Sequence, residues 1–321
     1  MHILILGAGA IGSLLGARLS RTEAHVTLLT TDREHIQAIQ RDGLVVEELD
    51  STRSIYRIPG FDNPEPILEK ADVVIVAVKS YDTPKAMASI IHKCCQSSTL
   101  FLTLQNGIGN WQLISGLAPK EQVLAGVTAQ GATLLKPGVV RHGGNGTTFI
   151  GEPEGPPSSR VQSLVELFRR AGLQTDTSSV MEQLIWEKLL VNVGINAITA
   201  LTGIPNGVIA RLDDAQELCR AAVLEAMIIA RAKGFTVADN MPDRVLAVAK
   251  ATAVNRSSMG QDVDRKKATE IGAINGAIVR FGLEMSVPTP VNRTLAQLVK
   301  IMETHYLGKD ESTIHSSPAV L

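Results

Sequence analysis

The chain is poor in cysteine, with three in 321 residues: Cys94 and Cys95 are adjacent and Cys219 stands far from both. That pattern is neither a disulfide framework nor a paired C-x-x-C metal spacing, so a reducing, cytoplasmic compartment is expected. An excess of charge is lacking too. The 31 basic and 32 acidic residues leave a formal net charge of −1. No electrostatic footprint for nucleic acid or membrane is therefore expected, and a small molecule is the expected partner. No uninterrupted apolar stretch reaches the ~18 residues of a membrane helix. Met1 to Leu6 runs directly into a glycine loop, without the segments of a secretory signal. The seven histidines are scattered without ligand spacing, so no metal is expected. G-x-S-x-G is missing, so a nucleophilic serine is not indicated.

What is present is an ordinary globular composition, 45% apolar and 20% charged, over a length that exceeds one hydrophobic core. The expected class is α/β: an N-terminal Rossmann-type, doubly wound and mainly parallel sheet, followed by an all-α domain. Apolar runs at His2 to Leu6, His25 to Leu29, Asp72 to Val78, Thr99 to Leu104 and Gln122 to Gly126 alternate with helical patterns. Val139 to His142 and Thr147 to Ile150 flank Gly143 to Gly146, which predicts a β-hairpin closing one sheet edge. The boundary is placed near Ser179, giving domains 1–178 and 179–307. Helical patterns then follow at Met181 to Ala200, Asp214 to Lys233, Arg244 to Ala253, Met259 to Phe281 and Pro290 to His305. The polar, aperiodic segment 308–321 is expected to fray.

Gly7-Ala8-Gly9-Ala10-Ile11-Gly12 matches G-x-G-x-x-G between a strand and a helix. The first glycine permits the tight turn, the second the approach of a pyrophosphate, and the third close packing of the helix. Cofactor type is read at the end of the second strand, at Thr30-Thr31-Asp32-Arg33. Arg33 with two threonines offers donors to a 2′-phosphate and favours NADP over NAD, while Asp32 would favour the unphosphorylated form.

Lys79 and Asn106 each follow an apolar strand, where ligands of open α/β sheets lie; ordinary loop polarity explains them equally well. Lys188, Asn192 and Asn196 recur at intervals of four on an otherwise apolar helix, forming one polar stripe. Such a stripe either makes an amide contact between helices or lines a cleft. In the second case an ammonium can stabilise and protonate the alkoxide formed by hydride addition to a ketone. Partial burial would lower its pKa toward the working pH. Asn255, Ser257 and Ser258 precede the helix expected at Met259, as N-cap candidates and as a carboxylate site. Glu270 would lie ~18 Å further along if that helix is straight. Alone it reads as a surface carboxylate.

Together these segments resemble the ketopantoate reductase family from Met1 to about Tyr306. The motifs are GAGAIG at Gly7 to Gly12, VAVKSYDT around Lys79, LQNGIGN around Asn106, WEKLLVNVGINAITALTG around Lys188, PNG at Pro205 to Gly207, and NRSSMGQDVDRKKATEIGAINGAIV from Asn255 to Val279. The resemblance implies NADPH-dependent reduction of 2-dehydropantoate to pantoate in pantothenate biosynthesis, with Lys188 as proton donor. It implies that Asn106, Asn192, Asn196, Asn206, Asn255, Ser257 and Ser258 hold the substrate with Lys188. On the cofactor side it implies the glycine loop, Lys79, Asn106, Ala132 and Glu270. Thr31 departs from the arginine common at that place, and Arg33 would substitute. Alternatives at this point are reduction of another branched 2-oxo acid, or NAD(P) binding without catalysis. The apolar helix Leu218 to Ala232 can pack internally or form a homodimer contact.

Overall fold

A computed structural model of the chain describes residues 1–308; the rest of the segment expected to fray lies outside the described residues. The first half alternates strands and helices: β1 (His2–Leu6), α1 (Ala10–Leu19), β2 (His25–Leu29), α2 (Arg33–Asp42), β3 (Leu44–Glu47), β4 (Arg53–Tyr56), β5 (Gly60–Phe61) and β6 (Ala71–Val76). There follow α3 (Thr83–Ile90), β7 (Cys95–Thr103), α4 (Asn110–Ser115), β8 (Val123–Lys136), β9 (Val139–Gly151), α5 (Ser159–Arg170) and β10 (Thr175–Thr177). The remainder is helical: α6 (Met181–Thr202), α7 (Asn206–Ile209), α8 (Asp213–Ala232), α9 (Met241–Ala251), α10 (Ser258–Asp264), α11 (Asn275–Glu284) and α12 (Pro290–Tyr306).

The strands form one sheet in the order β4-β3-β9-β8-β7-β6-β1-β2-β5, with β10 paired to β9. Among the described residues only β3 with β4 and β8 with β9 run antiparallel, so the sheet is mainly parallel. A parallel strand buries both faces, and β1 shows how. Ile3 and Ile5 join one apolar cluster with Leu14 and Phe168, while Leu4 and Leu6 join another with Val74 and Phe101. Alternate side chains of one strand thus nucleate the cores on opposite faces.

Two compact units result. The first comprises 1–105 and 109–185, the second 106–108 and the described residues from Trp186 onward; the division falls inside α6. The second unit has its own core, in which Trp186, Leu189, Leu190 and Val193 of α6 meet Val223, Val245 and Ile278. Trp186 stacks tilted on Phe235 and Phe281, with ring centroids 5.3 and 5.8 Å away. Gly194 lets α8 and α9 approach: a Cβ there would stand 2.8 Å from Val223 and Val245 side chains.

Two sequence expectations are corrected. The hairpin does not turn at Gly143 to Gly146, nor does it lie at an edge. The turn is Pro137-Gly138, between Lys136 and Val139, and β9 runs unbroken through the glycines, flanked by β8 and β3. Proline presets the first central residue of that turn and Gly138 supplies the positive φ of 76° at the second. Gly144 pairs with Gly131 across the ladder, where register shifts occur.

Nor is Met259 to Phe281 one helix. Asp264 to Lys267 are all exposed, so no apolar face holds a helix there, and Lys266 turns to a φ of 52°. A 3₁₀ turn at Ile271–Ala273 then precedes α11. Glu270 consequently does not lie along a straight helix, and it is buried, 6% exposed, rather than a surface carboxylate.

Candidate active site

In the first unit, β1 delivers the chain into the glycine loop. The amides of Gly7 and Ala8 both donate to the carbonyl of Leu29 at the end of β2, at 2.8 and 3.0 Å. Gly7 has a φ of 104°, and a Cβ there would strike the backbone of Val78 at 2.4 Å; one on Gly12 would strike the Gly7 carbonyl at 2.2 Å. Only glycine fits either place. Gly9 differs, because a Cβ built on it meets nothing within 4 Å, and the residue is exposed. It is the N-cap of α1 without a side-chain cap, and the first turn of α1 carries no acidic residue. The amides of Ala10, Ile11 and Gly12 are those a helix leaves without internal partners. An open space over glycine at an uncapped helix start fits a dinucleotide pyrophosphate, and a side chain there would fill that cradle.

The turn after β2 is less committed to a phosphate than its sequence implies. Asp32 caps α2, accepting from the amide of His35 at 3.1 Å. Thr31 and Arg33 are exposed, and Arg33 forms an ion pair with Asp62 at 3.0 Å. Sequence reading did not single out Asp62, which lies 29 positions away with no local signal. Lys79 follows β6 and is half-buried. Gln105 braces that end of the sheet: its amide nitrogen donates to the carbonyl of Val78 and to the hydroxyl of Thr83, both at 2.8 Å. Ala132 is half-buried on β8 and packs against the core.

The second unit gathers the other set. Lys188, Asn192 and Asn196 lie one above another on α6, as the spacing requires. The Lys188 ammonium is pushed from its ordinary 10.5 down to about 8 by burial, against the opposing pull of the Glu270 carboxylate. The Asn192 and Asn196 amide nitrogens are buried without a hydrogen-bond partner among the described residues. Asn206, at the start of α7, donates to the Thr252 hydroxyl at 3.0 Å, while its amide oxygen is buried without a partner. Its backbone amide donates to the carbonyl of Asn255 at 3.0 Å, which joins the α7 loop to the segment before α10. A buried amide atom without a partner costs about 1–3 kcal/mol, so these three amides are candidate contacts for ligand atoms.

Ser257 and Ser258 divide their roles. Ser257 is buried; its hydroxyl oxygen accepts from the Gly260 amide at 3.0 Å, capping α10, and lies 2.7 Å from the Thr199 hydroxyl. Ser258 is exposed and Asn255 half-buried. The Asn106–Ile108 segment belongs to this unit as well. The Ile108 amide donates to the Ala273 carbonyl at 3.2 Å, and Gly107 has a φ of 87° with no room for a Cβ beside Ala273. Asn106 is thereby fastened to the turn that follows Glu270. Thr199 carried no signal beyond one hydroxyl on an apolar helix.

Comparison with known proteins identifies the family. The family profile described as ketopantoate reductase PanE/ApbA matches residues 3–155, and its C-terminal counterpart matches 180–303. A 2-dehydropantoate 2-reductase of Halobacterium salinarum is 38% identical over 303 residues, covering 94% of this chain and 99% of the relative. Among solved structures, a PanE/ApbA family ketopantoate reductase from Ralstonia eutropha superposes with a TM-score of 0.87 at 32% identity, over 96% of this chain and 100% of that one. D-mandelate dehydrogenase, in a ternary complex with NADH and anilino(oxo)acetate, superposes with a TM-score of 0.89 at 26% identity, again over 96% and 100%. With an α/β unit carrying the glycine loop, a helical unit carrying the lysine–asparagine stripe, and these matches across both, the chain belongs to the ketopantoate reductase family.

Proposed function

We propose that this chain reduces 2-dehydropantoate to pantoate with NADPH, a step of pantothenate biosynthesis, residues 1–178 holding the dinucleotide and 179–307 the substrate. Relatives of this name that match nearly the whole chain support the reading. The observation that carries it is Lys188: an ammonium lowered to about 8 by burial, on the same helix face as two asparagines with unpartnered buried amides.

When bound, the reduced nicotinamide supplies a hydride. Lys188 does the complementary work. Its ammonium lies against the ketone oxygen, stabilises the charge that develops there, and passes a proton from Nζ to the nascent alkoxide. A donor near pKa 8 gives up its proton at neutral pH far more readily than an ordinary lysine. Asn192 and Asn196 donate from neutral amides to substrate oxygens and the Asn206 amide oxygen accepts from a substrate hydroxyl, so none competes with Lys188 for charge. Asn255 and Ser258 face the carboxylate, while Ser257 holds the helix start beneath them. Glu270 keeps Lys188 protonated.

On the cofactor side, Gly7 to Gly12 receive the pyrophosphate, Lys79, Asn106 and Ala132 border the dinucleotide, and Thr31 with Arg33 take the 2′-phosphate. Three buried free thiols, at Cys94, Cys95 and Cys219, accord with a reducing cytoplasm. Exposed Leu224 and Ile228 on α8 support association of two copies.

The test is NADPH oxidation followed at 340 nm with 2-dehydropantoate, comparing wild type with Lys188→Ala. Turnover in the variant should fall by about 10²–10⁴ while NADPH affinity stays within about twofold. Near wild-type turnover in Lys188→Ala would remove the proton-donor role, and inert wild-type protein would remove the substrate assignment.

A further inference from the structure

The glycine loop has a weak point that the fold braces from a distance. Gly9 has no side chain and its surroundings impose no steric limit. One end of the peptide plane between Ala8 and Gly9 is held by the Gly9 amide, which donates to the Gly7 carbonyl at 2.7 Å; the other end, the Ala8 carbonyl, needs a second hold to fix the plane. The Ser13 hydroxyl supplies that second hold, donating to the Ala8 carbonyl at 3.1 Å from one turn further along α1. Ser13 is itself held by the Nε2 of His35, 3.0 Å away. Both side chains are fully buried.

His35 is a node for three segments. Its backbone amide donates to Asp32, fixing the turn after β2. Its Nδ1 accepts from the amide of Gly138 in the β8–β9 turn at 2.9 Å. A backbone N–H can only donate, so Nδ1 is unprotonated and the ring proton sits on Nε2. Nε2 must then donate to Ser13, and the single Ser13 hydrogen is left to go to Ala8. Every hydrogen in the chain from Gly138 to Ala8 has one direction.

We propose that His35 is a positioning residue for the cofactor: through Ser13 it locks the Ala8–Gly9 peptide in the orientation that receives the pyrophosphate. The inference rests on the dinucleotide reading of the glycine loop and assigns a role to a side chain outside it. Preorganisation of this kind shows in binding, because a loop already ordered loses less freedom when the ligand arrives.

Two substitutions separate the two halves of the ring. Asparagine places an amide oxygen near Nδ1 and keeps the Gly138 bond, while glutamine places an amide nitrogen near Nε2 and keeps the Ser13 bond. Kd for NADPH is measured by fluorescence titration in the full chain without substrate, beside kcat, KM and Tm. His35→Asn and Ser13→Ala should each raise Kd by about five- to tenfold, with kcat within about twofold. His35→Gln should bind within about twofold of wild type despite a lower Tm. The double variant S13A/H35N should be no worse than either single one, since both remove the same link. NADPH binding unchanged in S13A and H35N, with only Tm reduced, overturns the proposal, as does H35Q impaired as badly as H35N. Should H35N fail to fold, S13A carries the same comparison. Wild-type protein without affinity for NADPH or NADH would instead overturn the dinucleotide reading beneath it.

Discussion

At Lys188 two effects oppose each other: burial expels the charge and the Glu270 carboxylate retains it. With Lys188 as the proposed acid, reduction should slow as pH rises through about 8. Replacing Glu270 with glutamine removes the retaining pull, so the alkaline limb of the kcat profile should move to lower pH. An unmoved limb in E270Q would show that another group sets it. At the turn after β2, a bound 2′-phosphate would compete with a carboxylate for Arg33. Asp62 holds Arg33 at 3.0 Å, and an exposed pair of this kind is worth little. Asp62→Asn should therefore lower the Kd for NADPH by about two- to fivefold and leave NADH unchanged. Equal gains for both dinucleotides would mean that Arg33 does not read the 2′-phosphate.

Helix α6 passes on length and mean hydropathy for a membrane span, yet 61% of its apolar window is buried inside the protein. It is a core helix whose neighbours touch it through Gly194. In Gly194→Ala the gain in helix propensity is outweighed by crowding against Val223, Val245 and Cys219, and stability should drop by about 1–2 kcal/mol in urea denaturation. A stabilised variant would mean that α8 and α9 yield more easily than their packing indicates. The spacing of Lys188, Asn192 and Asn196 was legible because it is a property of the helix itself, and β1, β2 and α12 were legible from unbroken apolar patterns. What the sequence hid depends on partners. The turn at Pro137-Gly138 was masked by the four-residue Gly143 to Gly146 run, which pairs with β8 as part of β9. The break after Asp264 was masked by apolar residues on both sides of it. Burial of Glu270, and the ties from Thr199 to Ser257 and from Asp62 to Arg33, join positions far apart in sequence, where no local pattern reports them.

For the molecule as a whole, the same lysine leaves a trace in its folding equilibrium. Between about 8 and 10.5 the unfolded chain keeps a proton on Lys188 that the folded protein has released, so this group makes stability rise with pH across that window. The buried thiols of Cys95 and Cys219, pushed up to about 12 by burial, act in the opposite sense above their ordinary value of 9.0. The difference profile between wild type and Lys188→Met isolates the lysine, and should climb by roughly 2–3 kcal/mol from pH 8 to 10.5. A flat profile would place the ammonium in water. The unpartnered amides of Asn192, Asn196 and Asn206 have another consequence, which concerns the molecules turned away. A ligand one methylene short loses only contact area, a discrimination of roughly 10–200-fold. A ligand that lacks an oxygen opposite the Asn192 or Asn196 amide nitrogen, or a hydroxyl opposite the Asn206 amide oxygen, leaves that amide as poorly solvated as before, and a site of that kind can reject it by about 10⁴. With these amides in the proposed substrate-holding role, selection follows the pattern of oxygens and hydroxyls more sternly than bulk.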